Sequence, residues 1–120
     1  MIYNSFMNPC NYIWLDNQWI DWTNANTHVL THALHYGSGV FEGIRAYETD
    51  NGPAIFKATE HYERLLESCK AYELQCPYSE DELIEFTKTL IIKNNLPACY
   101  IRPIVYTGYG SIGIIPKRNS

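Results

Sequence analysis

No run of apolar residues in this 120-residue chain approaches the roughly 20 needed to span a bilayer. The first residues lack the basic start and apolar stretch of a secretory signal. Positive charge is scarce, with 9 Lys and Arg against 13 Asp and Glu and a net charge of -4. Neutralising nucleic-acid phosphates needs a basic surface, so that partner class is excluded. These absences predict a soluble, cytoplasmic protein with no membrane and no nucleic-acid partner. Paired cysteine spacing is missing too. None of Cys10, Cys69, Cys76 and Cys99 forms a C-x-x-C pair, which argues against a zinc site or a redox dithiol. Free thiols packed as small apolar groups are expected, with a Cys69–Cys76 bridge the less favoured alternative. Internal repeats and low-complexity segments are missing. So is a dinucleotide fingerprint: Gly37, Gly39 and Gly43 place the third glycine one residue too late, and they precede a strand instead of opening a helix.

What is present fits one small domain with one core. A hydrophobic content of 46% excludes disorder. Ten tyrosines supply rings with a polar tip, suited to sites part apolar and part wet. Tyr12–Leu15 and Trp19–Trp22, rich in aromatic and β-branched residues, flank the turn pair Asp16-Asn17 and predict a hairpin. A strand is predicted over Val40–Tyr47. One face carries Phe41, Gly43, Arg45 and Tyr47, the other Val40, Glu42, Ile44 and Ala46. Asp50 to Pro53 is turn chemistry, and Ala54–Lys57 reads as the return strand.

Two helices follow. Thr59 is the expected cap of the first, whose Tyr62, Leu65, Leu66, Cys69 and Tyr72 recur at helical spacing. Ser79 and Glu82 form a capping box for the second, which faces the core with Leu83, Phe86, Leu90 and Ile91 and stops at Asn94-Asn95. Cys99–Tyr106 is a last strand, with Tyr100, Arg102, Ile104 and Tyr106 on one face. Strands, helices and a further strand predict an α+β layer.

Arg102 is the sharpest chemical signal. It interrupts an apolar strand, and a buried guanidinium demands an anion or a watery cleft. An internal carboxylate and a ligand carboxylate both satisfy that demand. Tyr100, on the same face, completes a plausible carboxylate-recognition pair. Arg64 lies beside the apolar stripe of the first helix, with His61, Ser68 and Ala71. Taken alone it reads as a solvated helix arginine. His28, His32, His35 and His61 have helical metal spacing in part, but no carboxylate or cysteine joins them locally. Hydrogen-bonding roles and no metal site are expected. Gly43, inside a strand, marks a close approach to the backbone.

The segment HALHYGSGVFEGIR, residues 32–45, resembles the N-terminal signature of the branched-chain amino acid aminotransferases. These belong to the class IV pyridoxal-phosphate enzymes, with D-amino acid aminotransferase and aminodeoxychorismate lyase. EHYERL at 60–65 resembles that family's helix with its phosphate-binding arginine. NNL at 94–96 followed by YIRP at 100–103 resembles the bacterial branched-chain enzymes in particular. The resemblance implies the family's small N-terminal domain over 12–114, an antiparallel-rich sheet with two helices on one face. Residues 1–11 would be a leader and 115–120 the start of an interdomain linker. It also implies that Arg64 binds the phosphate of pyridoxal 5'-phosphate. Phe41, Gly43, Tyr100 and Arg102 would line a pocket for leucine, isoleucine, valine, glutamate and 2-oxoglutarate. Arg45 would orient Tyr100, while Tyr36 and Ile114 would reach a neighbouring subunit's site, so at least a dimer is expected. The family's Schiff-base lysine would lie beyond Ser120, since none of Lys57, Lys70, Lys88, Lys93 and Lys117 falls in a matching motif. No catalytic residue is therefore expected in this chain, which alone would neither catalyse transamination nor hold the cofactor well. Two alternatives stand beside this expectation: another class IV enzyme, and a non-catalytic binding module.

Overall fold

The computed structural model describes residues 9–109, together with the backbone of Ile2–Tyr3. Among these, every strand pairing is antiparallel. The strands are β1 (Ile2–Tyr3), β2 (Tyr12–Leu15), β3 (Gln18–Asp21), β4 (Gly39–Phe41), β5 (Ile44–Thr49), β6 (Gly52–Ile55) and β7 (Cys99–Tyr106). They form one sheet in the order β3-β2-β1-β7-β5-β6, with β4 also on β7. The helices are α1 (His32–Tyr36), α2 (Ala58–Ala71) and α3 (Glu80–Lys93).

The hairpin forms where the sequence predicts it, with Asp16 and Asn17 both at positive φ (50° and 62°). That is the geometry which matches the twist of paired strands. It is one residue shorter than expected, because Trp22 opens a short 3-10 turn, Trp22–Asn24. Within the predicted leader, Ile2–Tyr3 is a strand lodged between β2 and β7. The capping box of Ser79 and Glu82 is present in both directions. The first long helix begins earlier than expected. Lys57 is its N-cap in the left-handed region (φ 53°) with no side-chain cap, so Thr59 lies inside the first turn.

The expected strand Val40–Tyr47 is two strands in a single register. Phe41 faces Ile104 and Ile44 faces Ile101 on the same side of β7. The interruption at Glu42-Gly43 has a local cause. In this register Glu42 lies opposite Pro103, and its N–H donates to the Pro103 carbonyl at 3.1 Å. Pro103 has no N–H to return, so the ladder loses a rung there. The return strand starts at Gly52, before the expected Ala54, and ends at Ile55. Pro53 is accommodated because β6 ends the strand order.

Helices α2 and α3 cover one face of the sheet. Tyr62, Leu65, Cys69, Leu83, Leu90 and Ile91 pack against Trp14, Val40, Ile44, Ala46 and Ile101. Trp14 stacks on Phe86 with centroids 4.6 Å apart. The Tyr62 hydroxyl donates to Thr87 Oγ1, which itself donates to the Leu83 carbonyl. This joins the two helices through groups that are fully buried. All four cysteines are free thiols. Burial pushes Cys69 and Cys99 up to about 11, so both serve as packing groups.

Asn94 fixes the hairpin to the end of α3. Its carbonyl accepts from the N–H groups of Asn11 (2.9 Å) and Tyr12 (2.7 Å), and its amide donates to the carbonyls of Tyr12 and Leu90. Among the described residues, no helix is long and apolar enough to cross a membrane.

Candidate functional site

The face of the sheet away from α2 and α3 collects most of the residues singled out from the sequence. In an antiparallel pair, residues directly opposite point to the same side. Phe41 stands opposite Ile104 and Arg45 opposite Tyr100, so Gly43 in the gap stands beside Arg102. The Arg102 guanidinium lies over the Phe41 ring, 4.3 Å from its centroid, and its Nη2 donates to the Tyr100 hydroxyl at 2.6 Å. Arg45 lies 5.5 Å from the centroid of the Tyr100 ring. Two cations and two rings thus form one cluster in which Tyr100 is held from both neighbouring positions. Phe41 is 60% exposed, so the cluster opens to solvent.

Gly43 is the clearance this cluster needs. A Cβ built there would lie 2.3 Å from the Tyr100 hydroxyl and 3.1 Å from its Cζ. The close approach predicted for this glycine is therefore that of Tyr100.

Arg64 belongs to a second cluster, on the helix side of the same strand break. Because strand side chains alternate, Glu42 points toward α2 while Phe41 and Gly43 point away. Glu42 is buried, at 7% exposure. Its two oxygens accept a fork from Arg64, Nε to Oε2 at 2.9 Å and Nη2 to Oε1 at 2.7 Å. His61, one turn earlier on α2, donates from Nδ1 to Oε1 at 2.9 Å. An ionised carboxylate only accepts, which assigns the proton to that nitrogen. The fork occupies the side-on edge of the guanidinium. Its end-on edge, Nη1 with the second Nη2 proton, points away from Glu42, and the Arg64 side chain is 65% exposed. This is an oriented cation with hydrogen-bond donors facing outward, the arrangement that receives a phosphate or carboxylate.

The sequence pattern puts Glu42 on the core face without naming its partner. The signal was available: a carboxylate at an inward position between Val40 and Ile44 requires a cationic partner. Burial alone would raise its pKa. The hydrogen bonds and charges of Arg64 and His61 outweigh that and hold it below the usual carboxylate range. A lowered folded value means this contribution to stability is complete above the unfolded value of about 4.3 and is lost as pH falls through the folded value. Urea unfolding should therefore show a stability gap between wild type and Glu42→Gln at pH 7 that begins to narrow below about pH 4.3 and closes only once the pH is under the folded value. A gap independent of pH would count against an ionic role.

Tyr36 lies on α1 and is exposed, with its ring 4.5 Å from that of His32. Gly37 ends α1 in the left-handed conformation (φ 64°), and Ala33 N–H and Thr107 N–H tie this corner to the end of β7. Exposed Val29, Leu34, Tyr36 and Phe41 make this end apolar. A groove of about 440 Å³ runs past Leu34, Val40, Phe41, Ile104 and Tyr106. The histidines take hydrogen-bonding roles. His32 Nδ1 meets Ser38 Oγ at 2.5 Å, His35 Nε2 meets the Val29 carbonyl, and His28 accepts from Leu30 N–H. Among the described residues no group of three or more His, Cys, Asp or Glu is placed to hold a metal. Ile114 lies outside the described residues.

The family profile for amino-transferase class IV matches residues 39–120. Among curated proteins, a branched-chain-amino-acid aminotransferase of Pseudomonas aeruginosa is 49% identical over 102 residues, covering 85% of this chain and 33% of that protein. Among solved structures, the branched-chain amino acid aminotransferase from Escherichia coli superposes with a TM-score of 0.86 at 44% identity, covering 90% of this chain and 37% of that one. The branched-chain aminotransferase from the thermophilic archaeon Thermoproteus uzoniensis, solved with norvaline, gives 0.82 at 37% identity, covering 88% and 36%. The chain thus spans about a third of the length of the curated relatives it matches.

Proposed function

The chain belongs to the class IV aminotransferase family, and from that premise we propose that residues 12–114, together with strand β1, serve as the small domain of a branched-chain amino acid aminotransferase. In this reading, residues 115–120 lead toward a lysine-bearing domain. The enzyme works in the cytoplasm as at least a dimer. It exchanges amino groups between leucine, isoleucine or valine and 2-oxoglutarate, using pyridoxal 5'-phosphate. The cofactor, when bound, supplies an electron sink for bond breaking at the amino acid's α-carbon.

The residues present suit that group. Arg64, with its side edge held by Glu42, has its end edge free to take phosphate oxygens. Arg102 is the partner for the distal carboxylate of glutamate or 2-oxoglutarate. Phe41 and Tyr100 are apolar wall for the branched side chains, and Arg45 steadies Tyr100. Tyr36, exposed at the apolar end, and Ile114 complete the neighbouring subunit's site. None of these groups moves a proton here; they bind and orient.

The observation that carries the reading is the Arg102 guanidinium lying directly over the Phe41 ring. A pocket that must accept both a carboxylate and a hydrocarbon side chain needs a cation and an apolar surface within one contact distance. The test is Arg102→Ala in an enzyme of the relatives' length. KM for glutamate and 2-oxoglutarate should rise about tenfold or more, while KM for leucine moves less than about twofold. Equal losses for both substrate types would count against this assignment.

A further inference from the structure

We infer that Glu42 is a positioning residue for cofactor binding, setting the direction of the Arg64 guanidinium through a relay that begins at His61. This rests on the reading of Arg64 as the phosphate anchor. Three observations carry it. First, Glu42 is a buried carboxylate at a position where the strand alternation calls for an apolar side chain. Burying a charge is costly, so something must be gained by it. Second, its partner is not buried. Arg64 is 65% exposed, so the pair does not serve to hide a cation. Third, the contact is a two-point fork. One hydrogen bond would leave the guanidinium free to swing. Two fix both its plane and the direction of its remaining edge. His61 acts one step back, because its bond to Oε1 fixes the carboxylate that fixes the arginine.

The energetic reason is preorganisation. An arginine side chain on a helix surface samples many rotamers, and ordering it on binding costs affinity. The fork meets that cost in the fold, before any ligand arrives. Charge works in the opposite direction. A negative carboxylate beside a phosphate site weakens the attraction for an anion. The two effects therefore predict opposite signs for Glu42→Gln, which removes the charge and keeps the shape. If charge dominates, the variant binds the phosphate more tightly. If positioning dominates, it binds more weakly.

The test compares dissociation constants for pyridoxal 5'-phosphate and for pyridoxal, which lacks the phosphate, followed by absorbance in an enzyme of the relatives' length. Glu42→Gln should weaken pyridoxal 5'-phosphate about tenfold and leave pyridoxal within about twofold. Arg64→Ala should weaken pyridoxal 5'-phosphate more. In the Arg64→Ala background, Glu42→Gln should add less than about twofold, because its effect passes through the arginine. Unchanged or tighter binding of pyridoxal 5'-phosphate by Glu42→Gln overturns the inference. So do losses that multiply in the double variant, or an equal loss for pyridoxal. If Arg64→Ala itself leaves pyridoxal 5'-phosphate affinity unchanged, the phosphate-anchor reading falls and this inference falls with it. Should Glu42→Gln fail to fold, Glu42→Asp keeps the charge but withdraws the carboxylate by one methylene. A loss confined to the phosphorylated ligand then supports the inference, and unchanged affinity overturns it.

Discussion

Arg64→Ala should lower the affinity for pyridoxal 5'-phosphate by about a hundredfold, the scale expected from losing two hydrogen bonds between charged groups. Gel filtration of the loaded variant in dilute solution should strip the cofactor, while wild type keeps it. A thermal readout gives an independent check, since a ligand at free concentration L bound only by the native state stabilises it by RT ln(1 + L/Kd) and so raises Tm. The increase in Tm on adding cofactor should shrink in the variant at fixed concentration. The change is not silent in the apo protein, because it leaves Glu42 buried with His61 as its remaining charge-assisted donor. The carboxyl should then protonate more readily than in wild type. Full cofactor occupancy after gel filtration would sink the assignment of Arg64.

Gly43→Ala should reduce kcat/KM by about a hundredfold, because the added methyl group displaces Tyr100. The backbone itself tolerates a side chain there, since Gly43 is not among the positive-φ residues. The conflict is with Tyr100, whose hydroxyl would sit 2.3 Å from the new Cβ. Real Cβ contacts do not come that close, so the ring must move. In moving, it gives up the 2.6 Å bond from Arg102 and its place beside Arg45. Overpacking of this kind also costs about 1–3 kcal/mol in stability. Adding Tyr100→Phe removes the offending oxygen, so the double variant should regain stability without regaining glutamate activity. A single variant with wild-type activity would show that the position of Tyr100 is unimportant.

Much of this was legible from residue patterns because the causes are local. The hairpin follows from Asp16-Asn17, both of which accept positive φ. The start of α3 follows from a box whose two bonds span three residues. The faces of β7 follow from simple alternation, which put Tyr100 and Arg102 side by side. What was not legible depends on partners distant in sequence. The break at Glu42-Gly43 is caused by Pro103, some sixty residues on, and emerges only once the register is known. Arg64 read as a solvated arginine because its neighbours on the helix say nothing about a carboxylate on another element. Glu42 was in plain view as a charge between apolar positions, and only the fold supplied its two donors. The start of α2 was misplaced because Lys57 adopts a left-handed conformation that nothing in its side chain favours.

The Asn94 amide has a consequence for the order in which the molecule is made. It grips Asn11 and Tyr12 across 83 and 82 positions of chain, and β1 likewise leans on β7. During synthesis the hairpin emerges before its dock, which leaves the ribosome some eighty residues later. Until then Trp14 lacks Tyr78 and Phe86, the rings it packs on in the fold. Long-range closure of this kind slows folding, and it leaves an early, adhesive segment waiting for a late one.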